Sequence, residues 1–117
     1  MNIKELLPAL HSEHTHRAYI QRVQILDRSQ NLLKARLYIS EELFIQIYRN
    51  ERFDTTSLVL IYNQERIYAR DQLGDNWHRH PSNNPDQHDI SPEGRRAIEL
   101  SEFLDEVEII LIKLDLP

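Results

Sequence analysis

Residues 33–48 read LKARLYISEELFIQIY, and they alternate apolar with polar or aromatic side chains on both sides of a short polar break. The apolar residues occupy positions 33, 35, 37 and 39, and then positions 43, 45 and 47. Side chains two residues apart lie on one face of a β-strand, so the pattern predicts two strands that each bury one face. Phe44 and Tyr48 fall on the other face of the second strand, where we expect them to pack under a helix.

Further strands are predicted on both sides of this pair. Before it, Tyr19, Val23 and Ile25 alternate up to a polar turn at residues 27–31. After it, an apolar run over residues 58–62 leads through a short turn into residues 66–70. Parallel pairing requires crossover connections of a dozen residues or more, and these turns are shorter. The sequence therefore predicts an antiparallel β-meander of about five strands.

Helices are predicted at both ends of the chain. Asn2 and Glu5 have the spacing of a capping box, and Pro8 limits the N-terminal helix to a short one. Residues 97–114 carry an apolar stripe at helical spacing, which predicts a long C-terminal amphipathic helix packed on the sheet. Ser91-Pro92 is a candidate start, with a later start left open. The predicted class is α+β, in a single domain over residues 1–117.

Composition narrows the classes of function. The chain has no cysteine, so a zinc site would need histidine and carboxylate ligands. It has no apolar run of about 18 residues and no secretory signal pattern, which favours a cytoplasmic protein that does not interact with membranes. The formal net charge of −5 weighs against a broad nucleic-acid-binding surface. Acidic residues are concentrated in residues 101–117, so a local phosphate site elsewhere remains compatible with the sequence.

The apolar period disappears over residues 71–92, which we interpret as a long functional loop. The loop contains three histidines, and paired imidazoles can divide the roles of general base and general acid near neutral pH. These groups suit metal-independent cleavage of a phosphodiester, with an arginine on the phosphate. The candidate catalytic residues are His78, His80 and His88, and the candidate substrate-binding residues are Arg70, Arg79 and Trp77.

The same side chains support a metal site. In an extended segment His78 and His80 point to one side, and His88 or Asp71 could complete a three-ligand site for zinc or another divalent transition metal such as nickel. A third interpretation is that the histidines are solvated and the loop is structural. A second histidine group, at positions 11, 14 and 16, is expected to cap or solvate the connection after the first helix.

Taken together, these motifs resemble the TumE-like family of toxins from prokaryotic toxin-antitoxin modules. The resemblance covers most of the chain and rests on Arg70-Asp71, His78-x-His80-Pro81, Pro85-x-x-His88 and the order of predicted elements. It implies a growth-inhibiting protein that acts on RNA and is neutralised by a helix-turn-helix antitoxin.

The resemblance also implies site positions, which are Arg70, Asp71, His78, His80 and His88, and Asp71 is thereby added to the candidate catalytic residues. We therefore expect a toxin with metal-independent ribonuclease activity and no cofactor. The alternative is a non-enzymatic binding module whose histidine-rich loop binds a metal ion. RNA and the antitoxin are the expected partners, and the sequence is also compatible with a homodimer.

Overall fold

The computed structural model describes residues 1–116 and contains two helices and one six-stranded sheet. The strands pair antiparallel in sequence order, which confirms the α+β meander with a helix at each end. There is one strand more than expected. The elements are α1 (Ile3–His16), β1 (Arg22–Arg28), β2 (Leu32–Tyr38), β3 (Leu43–Asn50), β4 (Thr55–Tyr62), β5 (Glu65–Leu73), β6 (Asn76–His80) and α2 (Leu100–Lys113).

Both helices pack on the same face of the sheet. The odd-numbered apolar positions of β2 and β3 are fully buried there, together with Leu58 and Leu60 of β4. α1 contributes Ile3, Leu6 and Leu10, and α2 contributes a stripe that includes Phe103 and Leu104. The alternation in the sequence thus identified the buried face. Neither helix within residues 1–116 is long and apolar enough to cross a membrane.

The opposite side of the sheet, which we call the open face, bears the intervening side chains. They alternate with the core residues, and most are half-buried by their strand neighbours rather than covered by a helix. Phe44 and Tyr48 lie here, so the expectation that they pack under a helix is wrong. The open-face residues used below are Lys34, Arg36 and Tyr38 of β2, Phe44, Gln46 and Tyr48 of β3, Ser57 of β4, Asp71 of β5, and His78 and His80 of β6.

The helix ends differ in detail from the prediction. Asn2 caps α1 by accepting a hydrogen bond from the backbone N–H of Lys4 at 2.7 Å. The helix continues through Pro8 to His16, because its apolar side packs on the core and Pro8 itself is exposed. α2 begins at Leu100 rather than near Ser91, and the Glu102 side chain accepts from the N–H of Glu99 at 3.2 Å.

The segment predicted as a long loop begins with a β-hairpin. Residues 71–73 complete β5, a turn at Gly74 with φ of 61° reverses the chain, and β6 follows. β6 lies at the edge of the sheet and carries polar side chains on both faces, so its sequence has no apolar period. Only the part from residue 81 to residue 99 lacks a helix or a named strand.

This remaining segment is held to β6 through Asp89. The backbone N–H of Asp89 donates to the Arg79 carbonyl at 2.7 Å, and the Asp89 carboxylate pairs with the Arg79 guanidinium at 2.5 Å. Gly94 packs so closely on this residue that a Cβ there would meet the Asp89 carbonyl oxygen well inside contact distance. The glycine is therefore required by close packing.

We expect Gly94→Ala to destabilise the domain by roughly 1–3 kcal/mol, the usual range for overpacking a tight site. Urea denaturation followed by circular dichroism measures the change. Asn83→Ala is the matched control, because Asn83 is an exposed residue of the same segment and is expected to change stability by less than about 0.5 kcal/mol. Equal stability of the two variants would contradict the close packing seen at Gly94.

Candidate functional site

Asp71, His78 and His80 are brought together by strand pairing on the open face. Asp71 of β5 lies directly opposite His78 of β6 in the antiparallel register. His80 is two residues further along β6, so it projects on the same side as His78. Two neighbouring strands therefore fix three of the predicted site residues within one patch.

Three polar atoms of this patch converge on a single point. The Nε2 atoms of His78 and His80 are 3.2 Å apart. Asp71 Oδ2 lies 3.5 Å from the Nε2 atom of His78 and 3.4 Å from that of His80. The three distances are nearly equal, so the atoms form a small, almost regular triangle.

His88 joins the cluster from the segment that follows β6. Its ring centroid lies 4.8 Å from that of His78 and 4.7 Å from that of His80. One nitrogen from each of the three histidines lies within 4.8 Å of the others, so His88 can supply a ligand atom beside the triangle. His88 is exposed whereas His80 is buried, which places His88 at the solvent side of the cluster.

Two further groups orient the triangle from behind. Ser57 Oγ donates to the second carboxylate oxygen of Asp71, Oδ1, at 2.8 Å. The carbonyl of Pro85 lies 2.9 Å from His80 Nδ1, and since a carbonyl only accepts, Nδ1 must carry the proton. His80 Nε2 is then free to act as a lone-pair donor.

Burial keeps His80 in its neutral form. His80 is only 2% exposed, and desolvation followed by the charge of Arg66 lowers the pKa of His80 below its ordinary value. A neutral imidazole with an unprotonated nitrogen is the form that binds a metal ion. The neutral form of His80 and the orientation of its ring thus both suit binding of a metal ion through Nε2.

The spacing of the triangle matches a tetrahedral metal centre. Ligand atoms at 2.0–2.1 Å from a tetrahedral ion are about 3.3–3.4 Å apart, given ordinary zinc–nitrogen and zinc–oxygen bond lengths. Octahedral coordination at the same bond lengths would bring neighbouring ligands to about 2.8–3.0 Å. The distances of 3.2, 3.5 and 3.4 Å agree better with the tetrahedral value. Asp71, His78 and His80 could hold the ion, with His88 next to its fourth position.

The predicted substrate-binding residues do not join this cluster. Arg70 precedes Asp71 on β5 and therefore points to the helix-covered face, where it is fully buried. Its guanidinium donates to the Glu106 carboxylate at 2.6 and 3.1 Å and to the Glu93 carbonyl at 2.6 Å. Arg70 is thus a structural anchor between the sheet, α2 and the preceding segment, and it is unavailable to a substrate at the histidines.

Arg79 and Trp77 alternate with the histidines on β6 and also face away from them. Arg79 is paired with Asp89, and Trp77 packs against the edge of the hydrophobic core. The histidines at positions 11, 14 and 16 lie on the last turns of α1, not in the connection after it. Within residues 1–116 the group of three histidine ligand atoms close enough to share an ion is His78, His80 and His88, and Asp71 contacts two of its members.

Ser57 is the site residue that the sequence did not reveal, and Pro85 belonged to a quoted motif without a role at His80. Nothing in the residues around Ser57 marks it, because its role depends on the register that places β4 beside Asp71. Comparisons with protein-family models, with curated proteins and with solved structures find no match. The toxin resemblance therefore stays a prediction from the motifs quoted above.

Proposed function

We propose that this domain binds one divalent transition-metal ion, with zinc the best fit, and uses it to activate a water molecule for phosphodiester hydrolysis. The observation that carries the proposal is the convergence of Asp71 Oδ2 with the Nε2 atoms of His78 and His80 at 3.2–3.5 Å. Both ligand types are common for zinc, and the outer partners Ser57 and Pro85 are of the kind that orients zinc ligands.

A cation also resolves the electrostatics of the cluster. Two imidazole nitrogens at 3.2 Å need a proton or a metal ion between them, since two lone pairs facing each other repel. A metal ion satisfies both nitrogens and the Asp71 carboxylate at once. A proton on His78 Nε2 would also satisfy the two nitrogens, through a hydrogen bond to His80, but it would leave Asp71 Oδ2 with contacts of only 3.4–3.5 Å.

Three protein ligands leave one position for water. A zinc ion held there would lower the pKa of such a water to about 7 and would supply hydroxide at neutral pH for attack on phosphorus, with cleavage of the ester P–O bond. His88, at the solvent side, would accept the proton released by the water, and solvent would protonate the leaving oxygen. RNA is the proposed substrate, in agreement with the family resemblance.

The metal-independent ribonuclease remains the competing proposal. In that mechanism two histidines act on opposite sides of the reacting phosphate, one on the attacking hydroxyl and one on the leaving oxygen. The facing Nε2 atoms of His78 and His80 leave no room for a phosphate between them. One ring would have to turn away, and His80 is held by the Pro85 carbonyl. These contacts favour the metal-dependent route.

A non-enzymatic metal site is the second alternative, and it depends on His88. If His88 binds as a fourth ligand, the coordination is closed and the ion only holds the segment after β6 in place. If His88 stays outside, the site is open to substrate. The exposure of His88 and the contacts of Asp71 Oδ2, at 3.4–3.5 Å from both Nε2 atoms, favour the open form.

We expect His88→Ala to retain one zinc ion per chain while the rate of RNA cleavage falls by roughly 10²–10⁴-fold, the usual contribution of a general acid–base group. Zinc content is measured by elemental analysis after dialysis, and cleavage with an end-labelled RNA. Chelation should abolish cleavage by the wild type, and zinc should restore it. Cleavage that persists without metal supports the ribonuclease alternative. Loss of zinc from His88→Ala, with an inert wild type, supports the closed site.

The cellular role proposed for this activity is that of a toxin neutralised by a helix-turn-helix antitoxin. The toxin role is supported by the sequence motifs alone. It can be wrong even if the domain cleaves RNA with a bound metal ion. Controlled expression of the wild type and of Asp71→Asn, with growth and total RNA followed in parallel, tests it. Equal growth of both strains would contradict a toxin that acts through this site.

A further inference from the structure

The open face of the sheet is cationic although the chain carries a net charge of −5. Lys34 and Arg36 of β2 project from it, whereas the acids of α2 are on the helix layer. Two carboxylates lie in register with Lys34 on this face: Asp27 of β1, which is paired with it, and Asp71, which belongs to the histidine cluster and would be neutralised by a bound cation. Charge is thus segregated between the two sides of the sheet.

The two cations of β2 form no ion pair among the described residues, although Asp27 of β1 is the strand neighbour of Lys34. Arg36 donates to the side-chain oxygen of Gln46 at 3.0 Å and to the hydroxyl of Tyr38 at 3.1 Å, which are both neutral. The ion pairs found within residues 1–116 include neither Lys34 nor Arg36. Positive charge on the open face is therefore available to an external anion.

Strand register links these cations to the histidine cluster. A single row of paired residues crosses five strands in the order Lys34, Tyr48, Ser57, Asp71 and His78. Neighbouring strands are 4.7–4.9 Å apart, so the row spans roughly 19 Å from β2 to β6. A ligand that follows the row contacts a cation at one end and the candidate metal centre at the other.

Aromatic rings stand beside the cations. Tyr48 is paired with Lys34 and is half-buried, and Phe44 lies under the Arg36 guanidinium at 4.5 Å from its ring centroid. A β-sheet face with aromatic side chains and nearby cations can stack unpaired bases while it binds the phosphates. A base-paired duplex keeps its base faces inside the stack, so it could not use the rings.

We propose that the open face binds single-stranded RNA along this row and leads it into the histidine cluster. Lys34 and Arg36 contact phosphates, and Tyr48 stacks on a base. This inference rests on the proposed function in one respect, which is that the RNA runs towards the histidine cluster. The binding surface itself consists of residues outside the metal centre. RNA binding can therefore be lost while zinc affinity is kept, and zinc affinity can be lost while RNA binding is kept.

The test uses zinc-loaded full-length protein and a fluorescein-labelled 12-nucleotide oligouridylate, with binding followed by anisotropy between 50 and 200 mM salt and probe integrity checked on a gel. We expect Lys34→Gln/Arg36→Gln to bind more weakly and to reduce the salt slope by about 1.4, for two phosphate contacts at about 0.7 each. Arg95→Gln/Lys113→Gln removes the same charge from the segment before α2 and from the end of α2, and it should bind as the wild type does.

Tyr48 provides the test of stacking. Tyr48→Leu keeps an apolar side chain and should weaken binding by about fivefold to a hundredfold, whereas Tyr48→Phe keeps the ring and should bind nearly normally. A duplex of the same length should bind the wild type more weakly than the single strand.

Three results would overturn the inference. The first is that the folded, zinc-loaded wild type does not bind the oligouridylate. The second is that Lys34→Gln/Arg36→Gln binds it with the affinity of the wild type. The third is that the wild type binds duplex and single-stranded RNA equally well. A zinc titration of each protein shows whether the metal centre is intact, and so separates failure of the RNA surface from failure of the proposed function.

Discussion

Zinc affinity is expected to fall by more than 100-fold in His78→Ala and in His80→Ala. Loss of a residue that only orients a metal ligand typically lowers metal affinity by 10- to 100-fold. These variants have a larger effect because they remove a ligand atom itself from the triangle of 3.2–3.5 Å distances. Isothermal titration calorimetry measures the affinity. His11→Ala is the matched control, because His11 is an exposed histidine on α1, and it should bind zinc as the wild type does.

Thermal unfolding gives a second readout of the same prediction. Zinc at a hundredfold excess over its dissociation constant should stabilise the wild type by about 2.7 kcal/mol, and the ligand variants should gain almost nothing. Ser57→Ala should lie between them, with affinity lowered by roughly 10- to 100-fold, because its hydroxyl orients Asp71 without touching the ion. Unchanged affinity in both histidine variants would rule out the metal centre.

Arg70→Ala is expected to destabilise the domain by roughly 3–5 kcal/mol, the range for removing one partner of a buried ion pair. Arg70 is 0% exposed and makes four hydrogen bonds at 2.6–3.1 Å, two to Glu106 and two to Glu93. Its loss leaves the Glu106 carboxylate, only 21% exposed, without its main counter-charge. Urea denaturation measures the change in unfolding free energy.

The Arg70 network also includes Tyr68, whose hydroxyl donates to Glu106 at 2.7 Å. Burial, together with this bond, raises the pKa of Tyr68 to about 12, so the hydroxyl stays a donor at neutral pH.

Arg96→Ala is the control for Arg70→Ala, because Arg96 is 40% exposed and contacts the same acids from solvent. This substitution should lower the unfolding free energy by no more than about 1 kcal/mol. Arg70→Met/Glu106→Gln should regain part of the stability. Similar losses for Arg70→Ala and Arg96→Ala would contradict a buried anchor.

The placement of Arg70 shows where the prediction of the site was incomplete. Arg70 and Asp71 are adjacent in sequence, and the family resemblance assigned both to one site. Adjacent residues of a strand project to opposite faces, so β5 sends Asp71 to the histidines and Arg70 to α2. Trp77 and Arg79 are separated from His78 and His80 in the same way.

The sequence alone determined the parts of this protein that depend on local periodicity. Alternation over residues 33–48 identified two strands and their buried face, and the stripe before Leu114 identified α2. The spacing of His78 and His80 put both on one side on the condition that their segment was extended. Each follows from the repeat of two residues in a strand or 3.6 in a helix. No knowledge of distant contacts was needed for these predictions.

Only the tertiary structure decided what faces the histidines. β6 has polar side chains on both faces, so its strand character depends on backbone pairing with β5 rather than on an apolar pattern. Ser57 reaches Asp71 through strand register, and His88 reaches His78 through a segment without periodic structure. These contacts join residues that are distant in sequence, and their geometry is set by hydrogen bonds and packing that no local pattern records.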